Sequence, residues 1–493
     1  MLFILYYPLV LITPITVFYI LTYGVTVNSD TYWLIFNTTF SESHELLKGF
    51  YLYGVLIFFT ITLLYYFLLK KIPAKISFRS SLCVSLFGTL LFLIIPFFSN
   101  SHSLGYFTKI KGNLSWAWPS SNYYALKTVK SNFSTIHDFD TRTKDFKFNA
   151  IQQINIEDRQ IYLLVIGESS RFYNWGINGY SRDTSPKLDK RGNQIISFTN
   201  VISGGYITQL AVPMLISQAT PQNFSIHLER KSIVSIFKEA GFKTYWISNN
   251  VDNGYIFIHS KESDVVKYEL SDYKASKNVK TDMDLMKTLS SILSKKEKKT
   301  FIVLHTLGSH YDYDARYTTD FKKFKPTASD VNATATDYKK KDAIINSYDN
   351  SILFSDAVLD STISLIAREN AVSYVNYISD HGENLFDDTN LLSQHGSPTP
   401  TKYVAKVPMF FWASEKYQNL FGQKYRTLYN QRHAPTGSNN IFYTMLDLCG
   451  ISFPEISYQK SLANEKYIQE KRYILGANNK FFLFDETKQD IVH

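Results

Sequence analysis

Cysteine is nearly absent from this chain. Its two cysteines in 493 residues, Cys83 and Cys449, exclude a disulfide framework. Cys83 lies inside an apolar run, where a thiol serves as a small hydrophobe. Charge is missing altogether before Asp30. That gap leaves no basic leader, no small-residue cleavage site follows it, and a removable signal peptide is disfavoured. Acid is missing from Lys70–Ser80, a loop that carries Lys70, Lys71, Lys75 and Arg79. What the chain does have is length enough for a large catalytic domain and something more. Its formal charge of +9 suits anionic partners, nucleic acid and acidic membrane surface alike.

The apolar residues are unevenly distributed. Leu2–Val25, Phe50–Leu69 and Ser81–Phe98 are uncharged runs within the first hundred residues, and a bilayer is crossed by roughly 20 apolar residues. Residues 1–98 are therefore expected to form a transmembrane domain of three helical spans, 2–25, 50–69 and 81–98. The positive-inside rule places Lys70–Ser80 in the cytoplasm. The loop Thr26–Gly49, with Asp30, Glu42 and Glu45, then faces outward, as does everything after Phe98. Residues 99–150 form a juxtamembrane connector. Its Tyr106, Phe107, Trp116 and Trp118 beside Lys109 and Lys111 suit a headgroup layer or a solvated linker.

From Gln160 short apolar strands alternate with amphipathic helical stretches, so 151–493 is expected to be an α/β/α domain with a mostly parallel central sheet. Strands are predicted at Ile161–Ile166, Lys243–Ile247, Phe301–His305, Tyr374–Ile378 and Pro408–Trp412. Helices are predicted at Ser232–Ala240, Thr281–Leu293 and Ile344–Arg368. The apolar stripe of the last (Ile352, Ala357, Leu359, Ile363, Ile366) belongs to the core.

Parallel sheets carry their chemistry at the carboxyl ends of the strands, so each strand end matters. The first ends in Gly167-Glu168-Ser169-Ser170-Arg171, the third in His305 with His310 close behind, and the fourth in Asp380-His381-Gly382 with Gln394-His395-Gly396 following. Taken singly, Glu168 could be a helix-terminal acid and Asp380-His381 a satisfied turn. Thr208 follows Gly204-Gly205 and suits either a helix N-cap or a nucleophile at a helix N-terminus. Pro213, too late for a first turn, predicts a kink or a restart in that helix. Together the pieces make one centre. Glu168, Asp380 and His381, with Thr208 Oγ, would hold zinc, or manganese as second choice, and coordination would turn the hydroxyl into an attacking alkoxide. His310 and His395 would balance phosphoryl charge or pass protons.

At these residues the sequence resembles the bacterial phosphoethanolamine transferases that decorate lipopolysaccharide, within the alkaline phosphatase/sulfatase superfamily. The resemblance runs through Ile166–Arg171, Asn174-Trp175, Asn178–Pro186, Thr208–Pro213, His305–His310, Ser379–Glu383 and Gln394–Gly396, and through Asn37–Leu47 in the outward loop. It implies a multi-pass inner-membrane enzyme with its catalytic domain in the periplasm. Phosphoethanolamine would pass from phosphatidylethanolamine onto Thr208 and then to lipid A, inner-core sugar or another envelope acceptor, with no nucleic acid involved. A phosphoglycerol transferase or phosphodiesterase of the same superfamily is the alternative, and a non-catalytic envelope-binding protein the third. Three spans are visible where the family usually has five. A disulfide that flanks the nucleophile in lipid A-modifying members falls here on Gly204 and Met214. A lysine used near the substrate falls on Gly254, although Asn250 and Asp252 stand close by, and Asn250 is the candidate substrate-binding residue.

Overall fold

The computed structural model describes residues 15–16, 19–20, 27–38, 51–71, 120–250, 252–269, 280–387, 391–397 and 399–484. The chain divides into two compact units, the first 1–38 and 47–134, the second 39–46 and 135–493.

In the first unit, helix α1 (Ser29–Asn37) opens with a reciprocal capping box between Asn28 and Thr31. Helix α2 (Tyr51–Lys71) occupies the place of the second expected span. Its apolar side chains face outward: Phe59, Leu63 and Leu64 are 64%, 56% and 57% exposed. Over the residues described, no helix is long and apolar enough to cross a membrane. Most of the first expected span and all of the third lie outside the described residues. The connector holds an unanticipated helix, α3 (Ser120–His137). Tyr32 on α1 donates to Asn122 Oδ1 at 2.8 Å, and the Trp33 ring meets that of Phe133 at 4.8 Å, tilted by 42°. The expected outward loop is thus partly helical. The connector's four headgroup-type aromatics lie outside the described residues.

The second unit is built on a seven-stranded sheet. Its strands are β1 (Gln160–Gly167), β2 (Ile195–Phe198), β3 (Lys243–Ser248), β4 (Val265–Tyr268), β5 (Lys299–His305), β6 (Val372–Ser379) and β7 (Met409–Ala413). They lie in the order β2-β7-β6-β1-β5-β3-β4. The expectation of a mostly parallel sheet is corrected here, because the sheet is mixed. β6, β1, β5, β3 and β4 pair in parallel, whereas β7 runs antiparallel to both β6 and β2. A parallel partner requires a crossover of a dozen or more residues, usually a helix. Between β6 and β7 the chain spends its length on site loops and on the short helix Lys402–Ala405, and it returns alongside β6 in the opposite sense.

The sheet sits between two cores. On β1, Tyr162, Leu164 and Ile166 enter one hydrophobic cluster, and Ile161, Leu163 and Val165 enter the other. Alternate residues of one fully buried strand feed both faces, which is why it reads as a continuous apolar run. The first face is covered by helices α4 (Thr208–Ile216) and α5 (Ile233–Glu239), with Asn440–Leu448, through Val212, Ile236 and Phe442. The second is covered by Leu285–Leu293 and Lys341–Ala367 through Leu289 and Ile352. The layers are α/β/α.

Candidate active site

Parallel register brings three strand ends level. Ile166 pairs with His305 across β1 and β5, Gly167 pairs with Ser379 across β1 and β6, and the Asp380 amide donates to Gly167 O at 2.9 Å. The residue after each strand therefore emerges at the same edge. Two glycines let loops close over it. Gly308 has φ +51°, and a Cβ there would lie 2.6 Å from Glu168 O. At Gly382 a Cβ would collide with Tyr403 O. Neither place admits a side chain without movement.

Glu168, Asp380 and His381 are fully buried, and one ligand atom from each lies within 4.8 Å of the others. His381 Nδ1–H donates to Gly382 O at 2.9 Å. That bond fixes the tautomer and turns the Nε2 lone pair inward, 3.5 Å from Glu168 Oε1 and 3.3 Å from Asp380 Oδ2. Asp380 Oδ1 accepts the amides of Ser169 (3.1 Å) and His381 (2.7 Å), whereas Asp380 Oδ2 has no hydrogen-bond partner among the described residues. A buried carboxylate oxygen left bare beside an imidazole lone pair is costly unless a cation joins them. The donor set, two carboxylates, one imidazole and a hydroxyl, fits zinc.

Thr208 is the first residue of α4, and the cap position falls on Ile207, whose side chain makes no capping bond. The hydroxyl is directed at the centre instead. It donates to Glu168 Oε2 at 3.1 Å and lies 3.3 Å from His381 Nε2. The helix runs on through Pro213 without a restart. Asn250, expected to meet substrate, donates its amide to Glu168 Oε2 at 3.2 Å. The His395 ring lies 4.1 Å from that of His381, and the His310 ring 6.5 Å from that of His395. All seven candidate residues thus meet at one edge of the sheet.

Burial shifts the titrations. It pushes Asp380 up to about 6 and Glu383 up to about 8, and it pushes His395 and His381 down to about 4, the last with help from His395. Both histidines are accordingly neutral at pH 7.

Three further groups touch the site: Glu383 and Ser169, which the residue-by-residue argument passed over, and His305, which it noted only as a strand-end histidine. Glu383 Oε2 accepts from His395 Nδ1 at 3.2 Å and orients that ring. Its signal was its place in Asp380–Glu383, one step beyond the ligands. Ser169 Oγ donates to Glu168 Oε1 at 2.8 Å. His305, fully buried at the end of β5, bonds Asp252 Oδ1 through Nδ1 at 2.7 Å. Burial opposes its charge, but Asp252, with Glu168 and Asp380, moves its pKa up. Gly204 and Met214 pack together, and a Cβ at 204 would lie 3.0 Å from Met214 Sδ.

Known proteins are similar to this chain in sequence and fold. Phosphoethanolamine transferase EptC of Escherichia coli (strain K12) is 26% identical over 331 residues, which cover 66% of this chain and 56% of that protein. The chain therefore spans little more than half the length of that relative. The crystal structure of the C-terminal periplasmic domain of Escherichia coli EptC in complex with zinc matches with a TM-score of 0.60 at 25% identity, covering 70% of this chain and 94% of that one. The integral membrane protein lipooligosaccharide phosphoethanolamine transferase A (EptA) of Neisseria meningitidis shares the fold, with a TM-score of 0.76 at 23% identity over 92% of this chain and 85% of that one. The soluble domain of the same Neisseria protein gives 0.57 at 27% identity over 64% and 95%. The sulfatase family matches residues 160–451, more than half of the sequence, and this chain belongs to that family.

Proposed function

We propose that this chain is a zinc-dependent phosphoethanolamine transferase that moves the group from phosphatidylethanolamine, through a covalent Thr208 intermediate, to a lipopolysaccharide-type acceptor. The observation that carries the proposal is the Thr208 hydroxyl, which is released from helix capping and bonded instead to Glu168 beside the bare Asp380 oxygen. Glu168, Asp380, His381 and Thr208 Oγ would hold the zinc. When bound, the ion supplies charge that lowers the hydroxyl's pKa and balances the phosphoryl oxygens.

The chain's own groups do the rest. Thr208 Oγ attacks phosphorus as its proton passes to Glu168 Oε2, the bond between phosphorus and the diacylglycerol oxygen breaks, and that oxygen takes a proton from water. Thr208 then carries phosphoethanolamine as a phosphodiester. In the second half the acceptor hydroxyl or phosphate attacks, the bond from phosphorus to Thr208 Oγ breaks, and Glu168 returns the proton to that oxygen. His395, held neutral by burial, is suited to take the acceptor's proton while Glu383 keeps its ring in place. His310 and Asn250 face the transferring group. Support for the transferred group comes from the names of the EptC and EptA relatives, and support for the acceptor from the lipooligosaccharide named for the Neisseria protein and from the basic charge of the chain.

The three uncharged runs, with α2 in the middle one, support residues 1–98 as a membrane domain of an inner-membrane protein, 99–150 as its connector and 151–493 as a periplasmic catalytic domain. Both lipids are then met at headgroup level. The test is mass spectrometry of the Thr208 peptide after the full chain, in neutral detergent, meets isotope-labelled phosphatidylethanolamine. Labelled phosphoethanolamine on Thr208, absent in Thr208→Ala, is the expected result. A phosphoglycerol adduct, or unimpaired transfer by Thr208→Ala, would overturn it.

A further inference from the structure

The second unit holds a cavity of about 380 Å³ that shares no residue with the site above. It is built where the sequence enters this unit. The short helical turn Phe139–Thr143 forms one wall, and the ends of α5 and of helix α6 (Gly254–Ser260) form the others. Five lysines line it, Lys144, Lys147, Lys231, Lys238 and Lys261, against three acids, Asp140, Glu239 and Glu262.

Two of those acids are already committed to the protein. Glu239 accepts the amides of Phe148 and Ala150, each at 3.0 Å. Glu262 accepts from Ser232 N and Oγ, from Ser235 Oγ and from His259 Nδ1. Asp140 is paired with Lys261 at 2.9 Å, and Lys238 is drawn to Asp264 at 3.0 Å. Lys147 and Lys231 have no acidic partner among the described residues. Of the apolar residues that line it, Phe146 is half-buried, and Phe139 and Ile258 are buried behind it. Ammonium groups without acidic partners among the described residues, lining one cavity with the half-buried Phe146 ring, match a ligand with an anionic head and an apolar or sugar body.

We propose that this cavity binds the phosphate of an anionic amphiphile, with Lys147 and Lys231 on its oxygens and the Phe146 ring against the body next to it. A glycerophospholipid and a phosphorylated glycolipid share that chemistry. The inference does not rest on the proposed reaction, because none of its residues belongs to the metal-ligand set.

The test is lysine footprinting of the full chain in neutral detergent, with acylation read by mass spectrometry. The probes are dihexanoylphosphatidylglycerol, a phosphorylated glucosamine disaccharide, inorganic phosphate, and dihexanoylglycerol as the uncharged control. Protection of Lys147 and Lys231, with Lys416 unchanged, by either phosphorylated amphiphile supports the inference, and the stronger of the two identifies the source. The paired change Lys147→Glu and Lys231→Glu should weaken that binding about ten-fold or more, since each lysine beside an anionic headgroup contributes roughly a five-fold factor. No protection by either amphiphile, equal protection by dihexanoylglycerol, or protection by inorganic phosphate alone would overturn it. The wild-type footprint decides the matter even if the variant does not fold.

Discussion

Asp380→Asn separates a metal ligand from a structural acid, because the two roles predict opposite signs. Asparagine keeps Oδ1 and so keeps the bonds from the Ser169 and His381 amides. It removes the charge on the atom that has no partner. Without metal, burial raises the Asp380 pKa from 3.8 to about 6, and a shift of about 2 units is about 3 kcal/mol. A carboxyl whose folded pKa is raised contributes stability below its unfolded pKa and loses it as pH rises through about 6. At pH 7.5 the wild-type metal-free protein carries that penalty and the variant does not. EDTA-treated Asp380→Asn should therefore melt higher, by up to about 6 °C at roughly 2 °C per kcal/mol. Zinc at 100 times the wild-type Kd should stabilise the wild type by about 2.7 kcal/mol. A variant weakened at least about 100-fold retains only about 0.4 kcal/mol of that. Differential scanning calorimetry with and without zinc reads both quantities. A variant that melts lower without metal, yet gains as much from zinc as the wild type, would refute the assignment.

Glu383→Gln preserves shape and an acceptor for His395 Nδ1–H but removes the ionisable carboxyl, which burial pushes up to about 8. Turnover should fall about 10- to 100-fold with zinc content unchanged, and equal loss of zinc in the purified protein would instead make Glu383 part of the metal set. Gly382→Ala forces a methyl against Tyr403 O and to 3.0 Å from Arg171 Cβ. It should cost about 1–3 kcal/mol, read as a lower thermal midpoint, and an unchanged midpoint would show that this loop yields freely.

The strands that position the site were legible because each is buried on both faces. Tyr162 to Ile166 and Tyr374 to Ile378 leave no alternation to misread. β2 and β4 were not. Each has four residues, and both stand at the edges of the sheet, where Lys267 and Tyr268 are exposed and the apolar run is short. The sense of β7 was invisible too, since direction is set by what the connection must do rather than by strand composition. At the site, residue types and strand ends disclosed the donors. Partnerships did not show. Nothing local to Asn250 says that its amide meets Glu168, 82 positions away. Of the two outcomes expected at Pro213, the restart does not occur: the missing amide hydrogen removes one internal bond to the Gln209 carbonyl, and the helix runs on. The neighbouring contacts of fully buried Val212, Met214 and Leu215 keep the helix intact.

The nucleophile's approach loop is where this chain departs furthest from the resemblance, and packing accounts for how it does without a bridge. Gly204 and Met214 stand in van der Waals contact where a disulfide would close the loop around Thr208. A bridge closing so short a loop contributes about 3 kcal/mol or less, chiefly by restricting the unfolded chain. Here the same loop is tied from outside. Ser203 N donates to Ala405 O at 2.7 Å, Gly204 N to Ser438 Oγ at 2.9 Å, Leu475 N to Gly204 O at 2.7 Å, and Tyr206 N to Leu475 O at 3.2 Å. Four bonds to three distant segments, each worth about 1 kcal/mol net, match the bridge in magnitude. They differ in kind, because they hold the loop only while the surrounding domain is folded. Reductant should therefore leave the geometry at Thr208 unaltered, whereas loosening the segment around Leu475 should release it.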